Sequence, residues 1–302
     1  MNHTIAATRH NEAEDMDTTA RYLSLLKKSL TNQLYIESEA RLAYFVSKMR
    51  EPERPSLESM VGDFLDIKST PQFALVQHCK TIGAQMIVGA HGVEDTVMRN
   101  FTSHAHTMIG IQRIENLHWC LDQVRADSIP GDLIETGVWR GGATIFMRGF
   151  LAAHGLNDRS VWVADSFEGL PKTGLAQDRG IDFSKEVHPY LAVGLEEVQA
   201  LFARYDLLDE QVKFLKGWFK DTLPTAPIER LALLRLDGDL YTSTWDALKH
   251  LYPKLSPGGF VIVDDYFSFP VCQEAVDTYR MRHRIQEPLV RIDEYSVYWR
   301  KT

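Results

Sequence analysis

Two runs of the 302-residue chain end on paired aspartates: "LLRLDGD" closes on Asp237 and Asp239, and "GGFVIVDD" on Asp264 and Asp265. Each pair follows an apolar stretch that reads as a buried strand. Carboxylates gathered this closely either share protons or hold a cation. The donors available are all oxygen, with no paired His or Cys nearby in sequence, which favours a hard divalent ion. Magnesium takes about six oxygens, so three carboxylates leave positions for water or for two substrate hydroxyls. The competing reading makes Asp239 the cap of a helix starting near Ser243, and Asp264 and Asp265 merely the start of a loop.

A second constellation lies upstream. "ETGVWRGG", Glu135 to Gly142, joins an apolar strand to a helical pattern, and Gly137, Gly141 and Gly142 let a ligand approach the backbone closely. The spacing is not the G-x-G-x-x-G of a dinucleotide site. It resembles the E-x-G-x-x-x-G-G loop of S-adenosylmethionine-dependent methyltransferases, where the acid serves the ligand's ammonium group and the bare backbone lies against its amino-acid portion. The next apolar run, "SVWVAD", ends on Asp165, placed to accept hydrogen bonds from two ribose hydroxyls.

The elements that must carry these residues follow from the pattern. After Pro130, short apolar runs alternate with helical segments, from "DLIETG" to "PGGFVIVDDY", and "EPLVRIDEYSVYWR" closes the chain as two strands around a turn near Asp293. That alternation predicts an α/β fold: a doubly wound, mostly parallel, seven-stranded Rossmann-like sheet whose ligands sit at the carboxyl ends of the strands. Before Pro130 the pattern is helical. Tyr22, Leu25, Leu26 and Leu30 share one face, as do Leu42, Phe45, Val46 and Met49, and then Ile111, Ile114, Leu117, Leu121 and Val124. The expected division is a mobile tail over 1–20, a helical extension, lid and acceptor region over 21–128, and a cofactor-binding domain over 129–302.

A formal charge of −8 without a Lys/Arg-rich block argues against a nucleic-acid or anionic-membrane surface. Cys79, Cys120 and Cys272 are scattered, as in reduced cytoplasmic proteins. An N-terminus without an apolar core, and the absence of any long apolar run, predict a cytoplasmic enzyme with a small-molecule substrate. His104 and His106 read as hydrogen-bonded structure, and Arg280, Arg282 and Arg284 as solvated charges near a helix end.

The strings "PGDLIETGVWRGGATIFMRG", "VWVADSFEGLP", "LALLRLDGDLYTSTWDAL" and "YPKLSPGGFVIVDDY" closely resemble the macrocin O-methyltransferase family, class I methyltransferases that act on sugar hydroxyls of macrolide and aminocoumarin antibiotics. The resemblance runs from about His104 to Val276, with a weaker match in "YLSLLKKSLTNQLYIE", Tyr22 to Glu37, and departs between Ser38 and Ser103. It implies S-adenosylmethionine and Mg²⁺ as cofactors, with Asp237, Asp264 and Asp265 as metal ligands and Asp239 as general base. Thr107, Met108, Glu135, Gly137, Arg140, Gly141, Asp165, Ser166 and Asp237 would surround the methyl donor, with Trp218 near its adenine. Tyr35 and Glu37 would close over the site. The acceptor would be a glycoside, the alternative being a phenolic diol of the catechol type. The resemblance and the helical extension together suggest a homodimer built through the N-terminal region.

Overall fold

The computed structural model describes residues 17–49, 56–82, 104–172 and 174–302. Its centre is one sheet of β1 (Asp132–Thr136), β2 (Val161–Asp165), β3 (Val212–Lys216), β4 (Leu231–Leu236), β5 (Leu255–Val263), β6 (Val290–Arg291) and β7 (Val297–Arg300). The order is β3-β2-β1-β4-β5-β7-β6. The first five strands run parallel, and β7 returns antiparallel against β5, with β6 antiparallel on its far side. Strand order therefore reverses between β1 and β4, where a doubly wound sheet opens its ligand crevice. The predicted terminal hairpin is present, its turn tied by Asp293, which accepts from the Tyr295 and Ser296 amides.

Strand β4 is buried at every position because helices cover both faces of the sheet. On one face Leu133, Val163 and Leu233 pack against α5 (Ile111–Ala126), α6 (Gly142–Ala153) and α7 (Leu195–Arg204). On the other, Ile134, Leu234 and Val261 meet α9 (Tyr241–Leu251) and α10 (Pro270–His283), beside the short α8 (Phe219–Thr222). Neighbouring strand residues serve opposite faces, as the period of two requires.

The N-terminal helices divide differently from the expectation. Helix α1 (Thr18–Leu30) buries Leu23, Leu26 and Leu30 in the same core as α5 and the sheet, so one continuous apolar core crosses position 128. Its buried face keeps Leu26 and Leu30 of the expected one but is rotated from it, since Tyr22 and Leu25 are exposed while Leu23 and Lys27 are buried. The docking partners decide this. Gly149 on α6 leaves room for Leu26, whose Cδ2 would stand 2.3 Å from an added Cβ. Lys27 points its ammonium at Glu115 of α5, 2.7 Å away. Helices α2 (Ile36–Met49), α3 (Leu57–Leu65) and α4 (Pro71–Ile82) surround a satellite core of Ala40, Tyr44, Ile67 and Val76. In α2 the expected face is again displaced: Phe45 is exposed and Tyr44 buried, while the side chains of Val46 and Met49 lie outside the described residues. The expected tail also lies outside them as far as residue 16, as do positions 50–55 and 83–103 of the departure.

Arg280 and Arg282 are not simply solvated. Their guanidinium carbons lie 4.9 Å from the ring centres of Trp299 and Trp245, and Arg280 also donates to the Glu287 carbonyl.

Candidate functional site

Parallel register brings the carboxyl ends of β1, β2, β4 and β5 to one edge, and a cavity of about 880 Å³ opens there. Met108, Gly137, Asp165, Ser166 and Trp218 of the expected donor site line it, as do Asp237, Asp239 and Asp264. Glu135 and Asp265 lie beneath its floor, each almost wholly buried. Arg140 and Gly141 face away. The Arg140 guanidinium donates to the Ala105 carbonyl over 2.9 Å, and Gly141 starts α6 at φ +80°, against Val198. Together with Thr107, which packs on Gly142, they hold the segment from His104 to Met108 against the glycine turn. His106 is hydrogen-bonded to Tyr205 at 2.8 Å, and burial draws its imidazole down to about 4, so it stays neutral as a structural group. Tyr35 is exposed and Glu37 pairs with Lys68 at 3.0 Å, neither in the cavity wall.

The glycine turn is set by contact between strand ends. A Cβ on Gly137 would lie 1.7 Å from the Asp237 carbonyl oxygen, and its φ is +86°. Both facts demand glycine. Gly137→Ala should therefore separate β1 from β4 and destabilise the fold by about 2 kcal/mol or more; an unchanged denaturation midpoint would mean that the two strand ends part freely. Asp165 accepts from the Val138 amide at 2.8 Å and the Phe167 amide at 2.7 Å. Burial nevertheless raises its carboxyl above the usual range.

The crowding of carboxylates is met first by arginine. Arg235 stands opposite Glu135 in the β1–β4 register and is 1% exposed. It donates to Glu135 Oε1 at 2.5 Å and Asp237 Oδ2 at 2.6 Å, and also to Asp264 Oδ1. Burial works against its charge, but the three carboxylates together hold it above its ordinary value. Arg113, from α5, takes Asp264 Oδ2 at 2.5 Å and Asp293 at 2.7 Å. The expectation that an ion alone offsets the charge is therefore corrected: two guanidinium groups serve Glu135, Asp237 and Asp264. Sequence reading missed both arginines. The available signal was a single arginine inside the apolar run "LALLRL", opposite a glutamate in the neighbouring strand.

Asp239 and Asp265 are the exceptions. Their carboxyl groups interact with each other, and two buried carboxyls this close favour a shared proton or a cation. Burial first, and then Asp237 and Asp264, push Asp239 up to about 8. Asp265 is raised well above its ordinary value by burial and by Asp239. The backbone presses Asp239 forward, since its φ is +56° and the Leu240 amide closes on the Gly238 carbonyl at 2.5 Å. This strained turn sits at the chemistry rather than away from it. Asp239 does not cap the following helix; Asp178, from the loop after β2, accepts from the Tyr241 amide at 2.8 Å and the Thr242 amide at 3.2 Å.

One oxygen each from Asp237, Asp264 and Asp265 lies within 4.8 Å of the others. A single hard cation, with oxygen ligands at about 2.0–2.6 Å, can reach all three. The donor set therefore fits such an ion. One further atom calls for a ligand: Glu135 Oε2 is buried without a hydrogen-bond donor, next to the glycine turn.

Comparison with known proteins agrees with this geometry. The sequence profile of the macrocin-O-methyltransferase (TylF) family matches residues 19–301. The chain is 58% identical over 207 residues to the demethyldecarbamoylnovobiocin O-methyltransferase of Streptomyces niveus, covering 68% of this chain and 79% of that one. It is 57% identical over 207 residues to an 8-demethyl-8-(2,3-dimethoxy-alpha-L-rhamnosyl)-tetracenomycin-C 4'-O-methyltransferase of Streptomyces olivaceus, covering 68% and 78%. The solved structure of the O-methyltransferase NovP superposes with a TM-score of 0.71 at 44% identity, over 94% of this chain and 99% of that one. With the sheet order, the glycine turn and the aspartates at the strand ends, these matches place the chain in the TylF macrocin-O-methyltransferase family of O-methyltransferases.

Proposed function

We propose that the protein transfers a methyl group from S-adenosylmethionine to a sugar hydroxyl of a glycosylated natural product, with Mg²⁺ at the aspartate cluster. The observation that carries this reading is the meeting of Gly137, Asp165, Asp237, Asp239 and Asp264 in one cavity. The names of the two Streptomyces relatives support it, the second naming a rhamnosyl acceptor and its 4' position. Asp165 is placed for the ribose hydroxyls and Glu135 Oε2 for the ammonium group, directly or through water. Trp218 offers a flat surface to the adenine.

The acceptor oxygen forms its new bond to the methyl carbon as the carbon–sulfur bond of the sulfonium breaks, leaving S-adenosylhomocysteine. Asp239 takes the hydroxyl proton, and its raised carboxyl range suits a base that must hold that proton near neutrality. Asp237, Asp264 and Asp265 would hold the ion, which when bound lowers the pKa of a chelated hydroxyl. Arg235 and Arg113 fix the orientation of Asp264.

An aromatic wall, including Phe183 and Phe269, speaks for the phenolic alternative. The volume, near the upper end for small-molecule sites, and the relatives speak for the glycoside. Homodimerisation through the N-terminal helices belongs to the same proposal, supported by exposed Leu25, Tyr35 and Leu65. Among the described residues no helix is long and apolar enough to cross a membrane.

The metal assignment is tested by proton release. Burial and crowding push Asp239 up to about 8 and raise Asp265 above its ordinary value, so Mg²⁺ addition in weak buffer at pH 7 should release on the order of one proton per chain. The linked stability has a definite sign. An acid whose folded pKa is raised binds its proton more tightly when folded, so this cluster's contribution grows as pH falls from about 8 towards the unfolded value. Mg²⁺ should cancel that trend by stabilising the charged form. Absence of both proton release and a Mg²⁺-dependent rise in Tm would remove the metal from this site, and a calorimetric titration showing no S-adenosylmethionine binding would remove the methyl donor.

A further inference from the structure

The loop between β2 and α7 supplies much of the cavity wall, and no part of the reaction described above uses its polar side chains. It is anchored at two points that also fix the reacting groups. Trp139, in the glycine turn, donates from Nε1 to the Tyr190 carbonyl at 2.9 Å. At the other anchor the Asp178 carboxylate, buried to 1% exposure, receives the first amides of α9, which starts two residues after Asp239. The loop is thereby held in register with both the donor turn and the base.

Between those anchors His188 and Tyr190 face into the cavity. Tyr190 Oη and His188 Nδ1 are 3.1 Å apart, within hydrogen-bonding distance. Either direction of that bond leaves the pair with a donor and an acceptor for a ligand: the phenol O–H with the His188 Nε2 lone pair, or a phenol lone pair with His188 Nε2–H. Burial and then the Asp239 charge raise the Tyr190 phenol, which keeps its proton and stands within electrostatic reach of the base. Around the pair the wall is aromatic. Phe183 lies 5.5 Å from the His188 ring and 5.1 Å from that of Phe269, centre to centre. A polar pair set in an aromatic surface, across from a base, suits a molecule with several hydroxyls on one part and an apolar remainder.

Building on the sugar O-methylation reading, we propose that Tyr190 and His188 are the acceptor-reading pair, the Tyr190 hydroxyl bonding a hydroxyl adjacent to the one that meets Asp239 while Phe183 and Phe269 take the apolar portion. The pair determines which hydroxyl is presented and does not carry the transferred proton.

The test uses the full chain with saturating S-adenosylmethionine and Mg²⁺, and a panel of deoxysugar glycosides that includes the acceptors named for the two Streptomyces relatives. Tyr190→Phe should raise the acceptor KM about 5- to 10-fold, the scale of one neutral hydrogen bond, with kcat changed less than about 2-fold and the KM for S-adenosylmethionine unchanged. His188→Leu should behave alike, while His188→Asn, whose amide can replace Nδ1, should retain most of the native KM. Unaltered acceptor KM in both Tyr190→Phe and His188→Leu would overturn the proposal, as would an equal loss of donor affinity or of Tm, which marks a purely structural role. Failure of the native chain to methylate any glycoside would instead defeat the sugar reading, and this proposal with it.

Discussion

Asp239→Asn is expected to lower kcat by about 10²- to 10⁴-fold, the usual contribution of a positioned general base, while S-adenosylmethionine binds as it does to the native chain. Asparagine is the informative replacement. Asp239 occupies the left-handed region at φ +56°, which asparagine tolerates and alanine does not, so Asp239→Ala would mix backbone strain with the loss of the base. The amide keeps the shape of the carboxylate and cannot accept the proton. Because Asp239 and Asp265 crowd each other, replacing one carboxyl by an amide removes a charge from the cluster, so the metal-free variant should be at least as stable as the native protein. Turnover within a few-fold of native would assign the base elsewhere.

The second large effect concerns Arg235. Arg235→Met keeps much of the side-chain volume but leaves Glu135, Asp237 and Asp264 without their common counter-charge. Breaking a buried ion pair by removing one partner costs about 3–5 kcal/mol, on the order of 10 °C in Tm for a chain of this size. The loss has a pH signature. Without the guanidinium Glu135 and Asp264, already raised by burial, rise further, so the deficit should be largest in alkaline solution and should shrink as acid protonates them. Adding Glu135→Gln to Arg235→Met should recover part of the loss by removing one of the stranded charges. A Tm equal to native at pH 8 would show that the network does not support the floor of the site. Thermal denaturation of the native chain and the two variants across pH checks all of this in one series.

How much of this was legible in the sequence depended on the range of the interactions. The sheet could be read because β1, β2, β4 and β5 are short apolar runs, each ending on a glycine or an aspartate, and parallel strands buried on both faces keep that form. The aspartates could be read for the same reason: a carboxylate after an apolar run has nowhere to go but the strand end. Arg235 acquired its meaning only when register placed it opposite Glu135. Arg113 was still less accessible, since its partners lie 151 and 180 positions away. The buried face of α1 was misjudged because periodicity gives the width of an apolar stripe, while Gly149 and Glu115 choose which edge of it docks. The wall bearing His188 and Tyr190 has neither strand nor helix period, and its only signal was its length between β2 and α7.

The central claim, methyl transfer from S-adenosylmethionine to a sugar hydroxyl at a metal-dependent site, is tested most directly by following a trideuterated methyl group. The chain would be incubated with methyl-deuterated donor and the panel of glycosides, with Mg²⁺ or with excess chelator, and the products read by mass spectrometry. The account predicts a gain of one labelled methyl on the sugar portion of a glycoside, one S-adenosylhomocysteine for each, and loss of both under chelation. Label on a phenolic ring in place of a sugar, or undiminished transfer in chelator, would contradict it.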